Sequence, residues 1–267
     1  MTRIHPTALV APEAELDAGV EVGPYCVIGA HVRIGAGTVL GPHVVIDGHT
    51  TLGRDNRVHP FASIGGAPQD KKYRDEPTRV EIGDANTFRE GVTINRGTIQ
   101  DNGLTRIGNG NWVMAYVHIA HDCVVGDNTI FANSTNLGGH VRIGDWVILG
   151  GASGVHQFCQ IGAHAMTAVG TVVLHDVPPF VMVSGNSAQA HGINTEGLRR
   201  RGFSPARIDA IRRAYRLLYR EGLSLAQARE ALASGARLSE LDPDGEAGAD
   251  LALLAGFLEG VTRGIVR

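Results

Sequence analysis

His121, Gly139 and Gln157 stand 18 residues apart, and Asp122, His140 and Phe158 each follow one position later. His156 adjoins Gln157, and His118 lies three residues before His121. These spacings gather four histidines and an aspartate if the chain repeats with that period. A neutral imidazole can take a proton from a hydroxyl near pH 7. A carboxylate such as Asp122 can orient or polarise the ring, although neighbours on a strand face opposite ways, which leaves direct contact with His121 open. Gly139 would offer a backbone N–H with no side chain in front of it, which suits a developing oxyanion. Neither Ser nor Cys shares the His121 column, so the pattern points to direct transfer with a histidine base rather than a covalent acyl-enzyme. Three neutral imidazoles could instead hold zinc with an open fourth position. Asp122 and Gln157 in the same cluster favour the acid–base reading, and neither metal nor cofactor is expected.

The period that brings these residues together is a repeat of six. From Ile4 an apolar residue recurs at every sixth position through Val10, Leu16, Val22, Ile28 and onward to Ile64. The series resumes at Ile82, Phe88 and Ile94, slips by one residue, and runs from Ile107 to Ile161, with Thr167 a polar occupant before Val173. Four residues after each stands a small or β-branched residue, among them Ala8, Val20, Thr38, Val117 and Thr135. A spacing of four and two is no helix stripe; it fits short strands with two inward positions each. Glycines after many apolar positions suit a tight backbone there. Three strands make a coil of 18 residues, with coils about 4.8 Å apart. The three cysteines, Cys26, Cys123 and Cys159, all take the small inward slot and read as core residues.

Two segments interrupt the repeat. Continuing it through 66–80 would bury Asp70 and Glu76, so this stretch is expected as an extruded loop. A shorter loop at 99–104, around Gln100–Gly103, accounts for the one-residue slip. The expected organisation is a parallel β-helix over 1–191 followed by a helical domain over 192–267. Ser204-Pro205 reads as an N-cap with proline at the first helical position, opening a helix that carries Ile208, Ile211, Tyr215 and Leu218. Further helices are expected from Ser224 to about Ser234 and from about Ala247 to Gly264. Such a domain could cap the open end of the coils.

The chain has 267 residues and a formal net charge of −3, which gives no overall drive toward nucleic acid or an anionic membrane. No apolar run suggests a signal peptide or stable membrane insertion, and three cysteines make no disulfide framework, so a cytoplasmic protein is expected. Charge is concentrated locally: between Arg199 and Arg220 arginines dominate, with Asp209 as the one acid. Guanidinium forks suit phosphate oxygens, and the same face would draw an acidic protein.

Three segments, Gly65-Gly66-Ala67-Pro68-Gln69-Asp70-Lys71-Lys72-Tyr73, His118-Ile119-Ala120-His121-Asp122-Cys123 and Asn194-Thr195-Glu196-Gly197-Leu198-Arg199-Arg200-Arg201-Gly202-Phe203, resemble the acyl-(acyl-carrier-protein)–UDP-N-acetylglucosamine O-acyltransferase family. The resemblance spans nearly the whole chain. It implies a left-handed winding and a cytoplasmic homotrimer with active sites between subunits. It also implies transfer of a 3-hydroxyacyl group from acyl carrier protein to the 3-hydroxyl of UDP-N-acetylglucosamine, the first step of lipid A biosynthesis. By the same resemblance His121 is the general base and Gly139 the oxyanion donor. Gln69, Asp70 and Lys72 are sugar-nucleotide ligands, His118, His140, His156 and Gln157 line the cleft, and Asn194, Glu196 and Arg200 contact nucleotide and phosphate. The basic Arg199–Arg220 face would dock acidic acyl carrier protein.

Acyl length in that family is set just past the catalytic column. Met166 and Val169 stand where a long-chain enzyme would carry smaller residues, so a medium-length chain is expected. His191 stands where an apolar residue is expected and has no assigned role. A relative that acylates an already acylated UDP-glucosamine carries a domain before its β-helix, for which a repeat starting at Ile4 leaves no room. A zinc hydratase and a non-catalytic scaffold are the alternatives of other classes.

Overall fold

The computed structural model describes residues 1–267. Two-residue strands recur along the chain and pair with strands one coil away, giving sheets of 11, 9 and 8 strands that are parallel except for the last pair of the largest. Glu21 pairs with Arg3 and Val39, and Val22 with Ile4 and Leu40, which sets the rise at 18 residues per coil. The coils are a parallel β-helix. Every apolar residue of the six-residue series from Val22 to Ile161 is buried. Each two-residue strand supplies one inward and one outward residue, and a second inward residue stands two positions before each inward one, as Val20 does before Val22.

The second inward slot departs from the expectation of small and β-branched residues in mid-helix. Asn56, Asn86 and Asn111 fill it in succession, all buried. Asn86 donates through its backbone and side-chain nitrogens to Asn56 Oδ1 at 2.9 and 3.0 Å, and the Asn111 N–H donates to Asn86 Oδ1 at 2.9 Å. Thr38 below and Thr129 above continue the ladder. An amide that gives and accepts one coil at a time meets much of its hydrogen-bonding demand inside the core, where an unpaired polar group would cost about 1–3 kcal/mol. Thr167 is explained likewise: buried, its hydroxyl accepts from the Gly150 N–H at 2.9 Å and meets Ser153 Oγ at 2.8 Å.

The glycines serve a different purpose from the one expected. Left-handed backbone at the corners falls largely on residues with side chains, including Tyr25, Tyr116, Asp122, His140 and Phe158. The glycines that follow the apolar series are needed because coils approach closely. A Cβ on Gly35 would lie 2.6 Å from the Gly53 backbone.

The last coil is closed by an antiparallel strand, Gln189–Ile193 against Val181–Ser184, which covers the growing edge of the largest sheet. Five helices follow: α1 Thr195–Arg200, α2 Pro205–Tyr219, α3 Leu225–Ala233, α4 Gly235–Leu241 and α5 Gly248–Glu259. Ser204 caps α2, and Ser224 caps α3 in a reciprocal capping box with Gln227. Helix α4 has no counterpart in the sequence reading, and α5 stops at Glu259 rather than running to Gly264. The Tyr215 hydroxyl donates to the Ala190 carbonyl, and Asp176 bridges to Ile265 in the C-terminal tail. One continuous apolar core runs from Val20 to Val266, so coils and helices share it.

Candidate active site

The sheet that carries the site stacks Ser63, Thr93, His118, Asn136, Gly154 and Val172 outward on successive coils. Three residues beyond His118 the chain turns a corner at His121 and Asp122. Asp122 adopts a left-handed backbone with φ of 60°, and this rather than strand alternation sets the two side chains side by side. His121 Nδ1 lies 2.9 Å from Asp122 Oδ2, so the direct contact left open by the sequence is made.

Asp122 is itself clamped. The Thr98 N–H lies 2.9 and 3.1 Å from its two oxygens, and the Thr98 hydroxyl donates to Oδ2 at 2.6 Å. Burial raises the carboxyl pKa, but hydrogen bonds from His121 and Thr98 outweigh it and hold the group below its ordinary value. An ionised Asp122 fixes the proton of His121 on Nδ1 and leaves Nε2 as the free base.

Gly139 stacks one coil above His121. A Cβ at Gly139 would fall 2.5 Å from His121 Cε1 and 2.7 Å from Nε2, so only glycine lets the ring occupy this place. Gly139 is a buried residue whose N–H donates to no group in the chain, whereas its neighbours Gly138 and His140 donate to Val155 and His121. The residues stacked with it, His121 and Gln157, likewise leave their N–H unpaired within the chain, but at Gly139 no side chain stands in front of the donor, which leaves it open to an acceptor atom of a ligand.

The remaining histidines differ in environment. His140 stands at right angles to His121 with ring centroids 5.1 Å apart, and stacks on Phe158 at 4.4 Å. Its Nδ1 donates to Asp101 Oδ2 at 3.1 Å, and its Nε2 lies 3.8 Å from Asp122 Oδ2. His118 shares a 2.7 Å hydrogen bond with Thr93 Oγ1; burial, then the charge of His121, lowers its pKa and keeps it neutral. His156 and Gln157 are exposed on the next coil.

His121, Asp122 and His140 also bring three potential metal-ligand atoms within 4.8 Å of one another. The hydrogen bonds compete with that use. Asp122 Oδ2 already receives Thr98 and His121, and the Nδ1 of each histidine is engaged by a carboxylate. The arrangement is that of a hydrogen-bonded acid–base cluster.

The other expected site residues lie elsewhere on the chain. A cavity of about 820 Å³ is lined by Trp146, Ile148, Met166, Asn194, Glu196 and Arg200, among others, and by none of the four histidines. Asn194 caps α1, and Glu196 pairs with Arg200 at 2.8 Å. Gln69 and Lys72 are exposed on the loop, where the Lys72 N–H donates to Asp70 Oδ1 at 2.9 Å. Val169 is 78% exposed on a corner and does not line the cavity, unlike Met166. His191 is exposed on the closing strand. Thr98, Asp101 and Thr93 were not singled out from sequence. Their only signal was position, in or near the short loop that interrupts the repeat and one coil below His118.

All three thiols are buried and unpaired. Burial pushes Cys123 up to about 12 and Cys159 up to about 11, so neither supplies a thiolate nucleophile.

Comparison with known proteins places this geometry. Residues 176–266 match the family described as UDP-N-acetylglucosamine O-acyltransferase, domain 2, and residues 104–139 match bacterial transferase hexapeptide repeats. The acyl-(acyl-carrier-protein)–UDP-N-acetylglucosamine O-acyltransferase of Thiobacillus denitrificans is 61% identical over the full length of both chains, and that of Herminiimonas arsenicoxydans 59%. Among solved structures, LpxA from Acinetobacter baumannii superposes with a TM-score of 0.93 at 48% identity, covering 99% of each chain. The UDP-N-acetylglucosamine O-acyltransferase of Moraxella catarrhalis does so with 0.93 at 47%, again over 99% of each. The fold is the left-handed parallel β-helix with a helical C-terminal region.

Proposed function

This chain belongs to the acyl-(acyl-carrier-protein)–UDP-N-acetylglucosamine O-acyltransferase family, and from that premise we propose how its residues carry out the transfer. It is an acyltransferase that moves an acyl group from acyl carrier protein to UDP-N-acetylglucosamine. The finer reading is a 3-hydroxyacyl donor and the sugar 3-hydroxyl as acceptor, at the first step of lipid A biosynthesis in the cytoplasm. No helix is long and apolar enough to cross a membrane.

His121 Nε2 removes the proton of the sugar hydroxyl as its oxygen attacks the thioester carbonyl. Asp122 holds the Nδ1 proton and stabilises the imidazolium that forms. The carbonyl oxygen, now an oxyanion, accepts from the Gly139 N–H. Collapse breaks the carbon–sulfur bond, and the leaving thiolate takes the proton back from His121. Electrons and protons balance without an oxidant, a metal or an acyl-enzyme. The observation that carries this reading is the pairing of a free His121 Nε2 with an unspent Gly139 N–H one coil above.

His118, His140, His156 and Gln157 surround the acceptor sugar in this reading, while Asn194, Glu196 and Arg200 hold nucleotide and phosphate, and Gln69, Asp70 and Lys72 reach the sugar nucleotide from their loop. A homotrimer accounts for the separation of these groups within one chain, since a neighbouring subunit can bring the loop of one copy to the corner of another. The test is acyl transfer from defined acyl carrier protein thioesters to UDP-N-acetylglucosamine, with His121→Ala beside wild type. Retained turnover in the variant would remove His121 as the base.

A further inference from the structure

Arg96 lies one coil before His121 in the same column: Thr93 pairs with His118 and Ile94 with Ile119, so the third residue on is Arg96 in one coil and His121 in the next. Its guanidinium is half-buried and pairs with no carboxylate. Instead Nε donates to the Tyr73 hydroxyl at 2.8 Å, Nη1 donates to the Gly65 carbonyl at 2.9 Å, and the cation lies 5.3 Å from the centre of the Tyr73 ring. The Tyr73 hydroxyl passes the bond on to the Glu76 carbonyl at 2.7 Å. The room for this side chain is made by a glycine. A Cβ at Gly48, whose φ is +62°, would stand 2.8 Å from Arg96 Nη1 and 3.2 Å from its Cδ.

A half-buried cation without a counter-ion adds little to stability by itself, because its desolvation is offset only by bonds to neutral groups. What the arrangement does supply is geometry. Between the strands Ser63–Gly66 and Arg79–Ile82 the chain leaves the coil with no strand of its own. One planar fork grips the aromatic ring in the middle of that loop and the carbonyl at its root together. Lysine, with a single ammonium, could not make both bonds in this fixed orientation.

We propose that Arg96 is a positioning residue that pins the 67–78 loop through Tyr73, and so sets where Gln69, Asp70 and Lys72 stand relative to the corner of the β-helix. The part of this that concerns substrate rests on the loop's role given under Proposed function. The clasp itself does not, and the two are separable by experiment. Lys71, Lys72 and Arg74 are exposed on the loop and are natural trypsin sites.

The experiment combines limited trypsinolysis of the full-length protein, read by mass spectrometry, with steady-state kinetics for Arg96→Ala, Arg96→Lys and Tyr73→Phe. Arg96→Ala is expected to speed cleavage within the loop about tenfold and to raise KM for UDP-N-acetylglucosamine by a similar factor, with kcat within about twofold. Arg96→Lys should behave like alanine rather than wild type. Tyr73→Phe removes one hydroxyl from the clasp, is the least disruptive to folding, and should show the same changes at about threefold. Wild-type cleavage rates in variants of unchanged melting temperature would overturn the clasp. Faster cleavage with an unchanged KM would uphold the clasp and overturn the loop's contact with substrate.

Discussion

Asp122 and His121 are adjacent in sequence yet meet side chain to side chain at 2.9 Å, because Asp122 turns the corner of the coil in a left-handed backbone conformation. A carboxylate so placed decides which imidazole nitrogen is free. His121→Ala removes the base and is expected to lower kcat by about 10²- to 10⁴-fold. Asp122→Asn keeps the shape but no longer dictates the Nδ1 proton, and should cost at least about tenfold in kcat with little change in KM. Thr98→Val deletes the 2.6 Å bond to Asp122 and should cost less than either. Steady-state assays of the three variants check the order; a Thr98→Val defect larger than that of Asp122→Asn would contradict it.

The basic run at Arg199–Arg220 resolves into two populations. Arg207 forks onto Asp250 at 2.8 and 2.9 Å, Arg213 donates to the Leu241 carbonyl at 2.7 Å, and Arg201 donates to the Trp146 carbonyl at 2.9 Å. Arg207 and Arg213 hold helices to one another, and Arg201 ties the helical region to the coils. Arg216 and Arg220 are exposed with no side-chain partner, and Arg199 and Arg200 share Glu196. Arg216→Glu with Arg220→Glu should raise KM for acyl carrier protein several-fold, on the order of three- to tenfold, and flatten its dependence on salt. KM for the sugar nucleotide should not move. A parallel rise in both constants would place these arginines outside the protein-docking face.

Much of this arrangement is legible from spacing alone. The six-residue series identifies the buried positions, and its multiple of 18 stacks Gly139 on His121 without any coordinates. What spacing cannot show is which way a corner residue turns. Strand alternation leaves the Asp122 contact undecided because φ at a corner is a local choice, stabilised here by Thr98 from outside the repeat. Loops are opaque for the same reason: nothing in the period indicates that Asp101 would reach His140 or Tyr73 would reach Arg96. The core asparagines were missed on chemical grounds, since Asn56, Asn86 and Asn111 look wrong singly and find most of their partners only as a stack, Asn111 Nδ2 at its upper end being left without one. Helix α4 follows α3 directly, Ser234 being the C-cap of one and the N-cap of the other without a side-chain bond, so the sequence shows no gap that separates the two.

His164 gives the fold a pH dependence above the carboxylate range. It sits between Trp146 and Phe180, and its Nδ1 faces Arg201 Nη1 at 3.3 Å, where it accepts rather than donates. Burial, then the Arg201 charge, pulls its pKa down from 6.5 to about 4. The native state therefore resists a proton that the unfolded chain takes up readily. Above about 6.5 the group contributes no pH dependence; as pH falls from there toward about 4, stability declines. His164→Gln should lessen the drop in melting temperature between pH 7 and pH 5. Identical drops for variant and wild type would locate the dependence elsewhere. Asp122 acts lower down: with its pKa depressed, its contribution is present above the ordinary carboxylate value near 3.8 and is lost only as pH falls through the folded value.

Donor length is the remaining prediction, and the two residues suspected of setting it are not equivalent. Met166 lines the apolar part of the 820 Å³ cavity with Trp146, Ile148 and Met182, a part that suits a hydrocarbon chain, while Asn194, Glu196 and Arg200 form its polar part. Val169 is 78% exposed on the corner two coils above Asn133, with a side-chain methyl 4.0 Å from where a Cβ on Gly151 would stand. An exposed valine can stop a chain only if that chain runs over the outer surface of the coils, as it would between subunits. Val169→Gly should then shift preference toward longer acyl donors, since each additional buried methylene is worth about 0.8 kcal/mol, or roughly fourfold in kcat/KM. Met166→Ala should lengthen the preferred chain if the cavity holds its end. Competition between acyl carrier protein thioesters differing by two carbons reads the outcome directly. A shift in Val169→Gly alone puts the chain end on the outer corner; a shift in Met166→Ala alone puts it in the cavity. No shift in either variant would remove both residues as determinants of length.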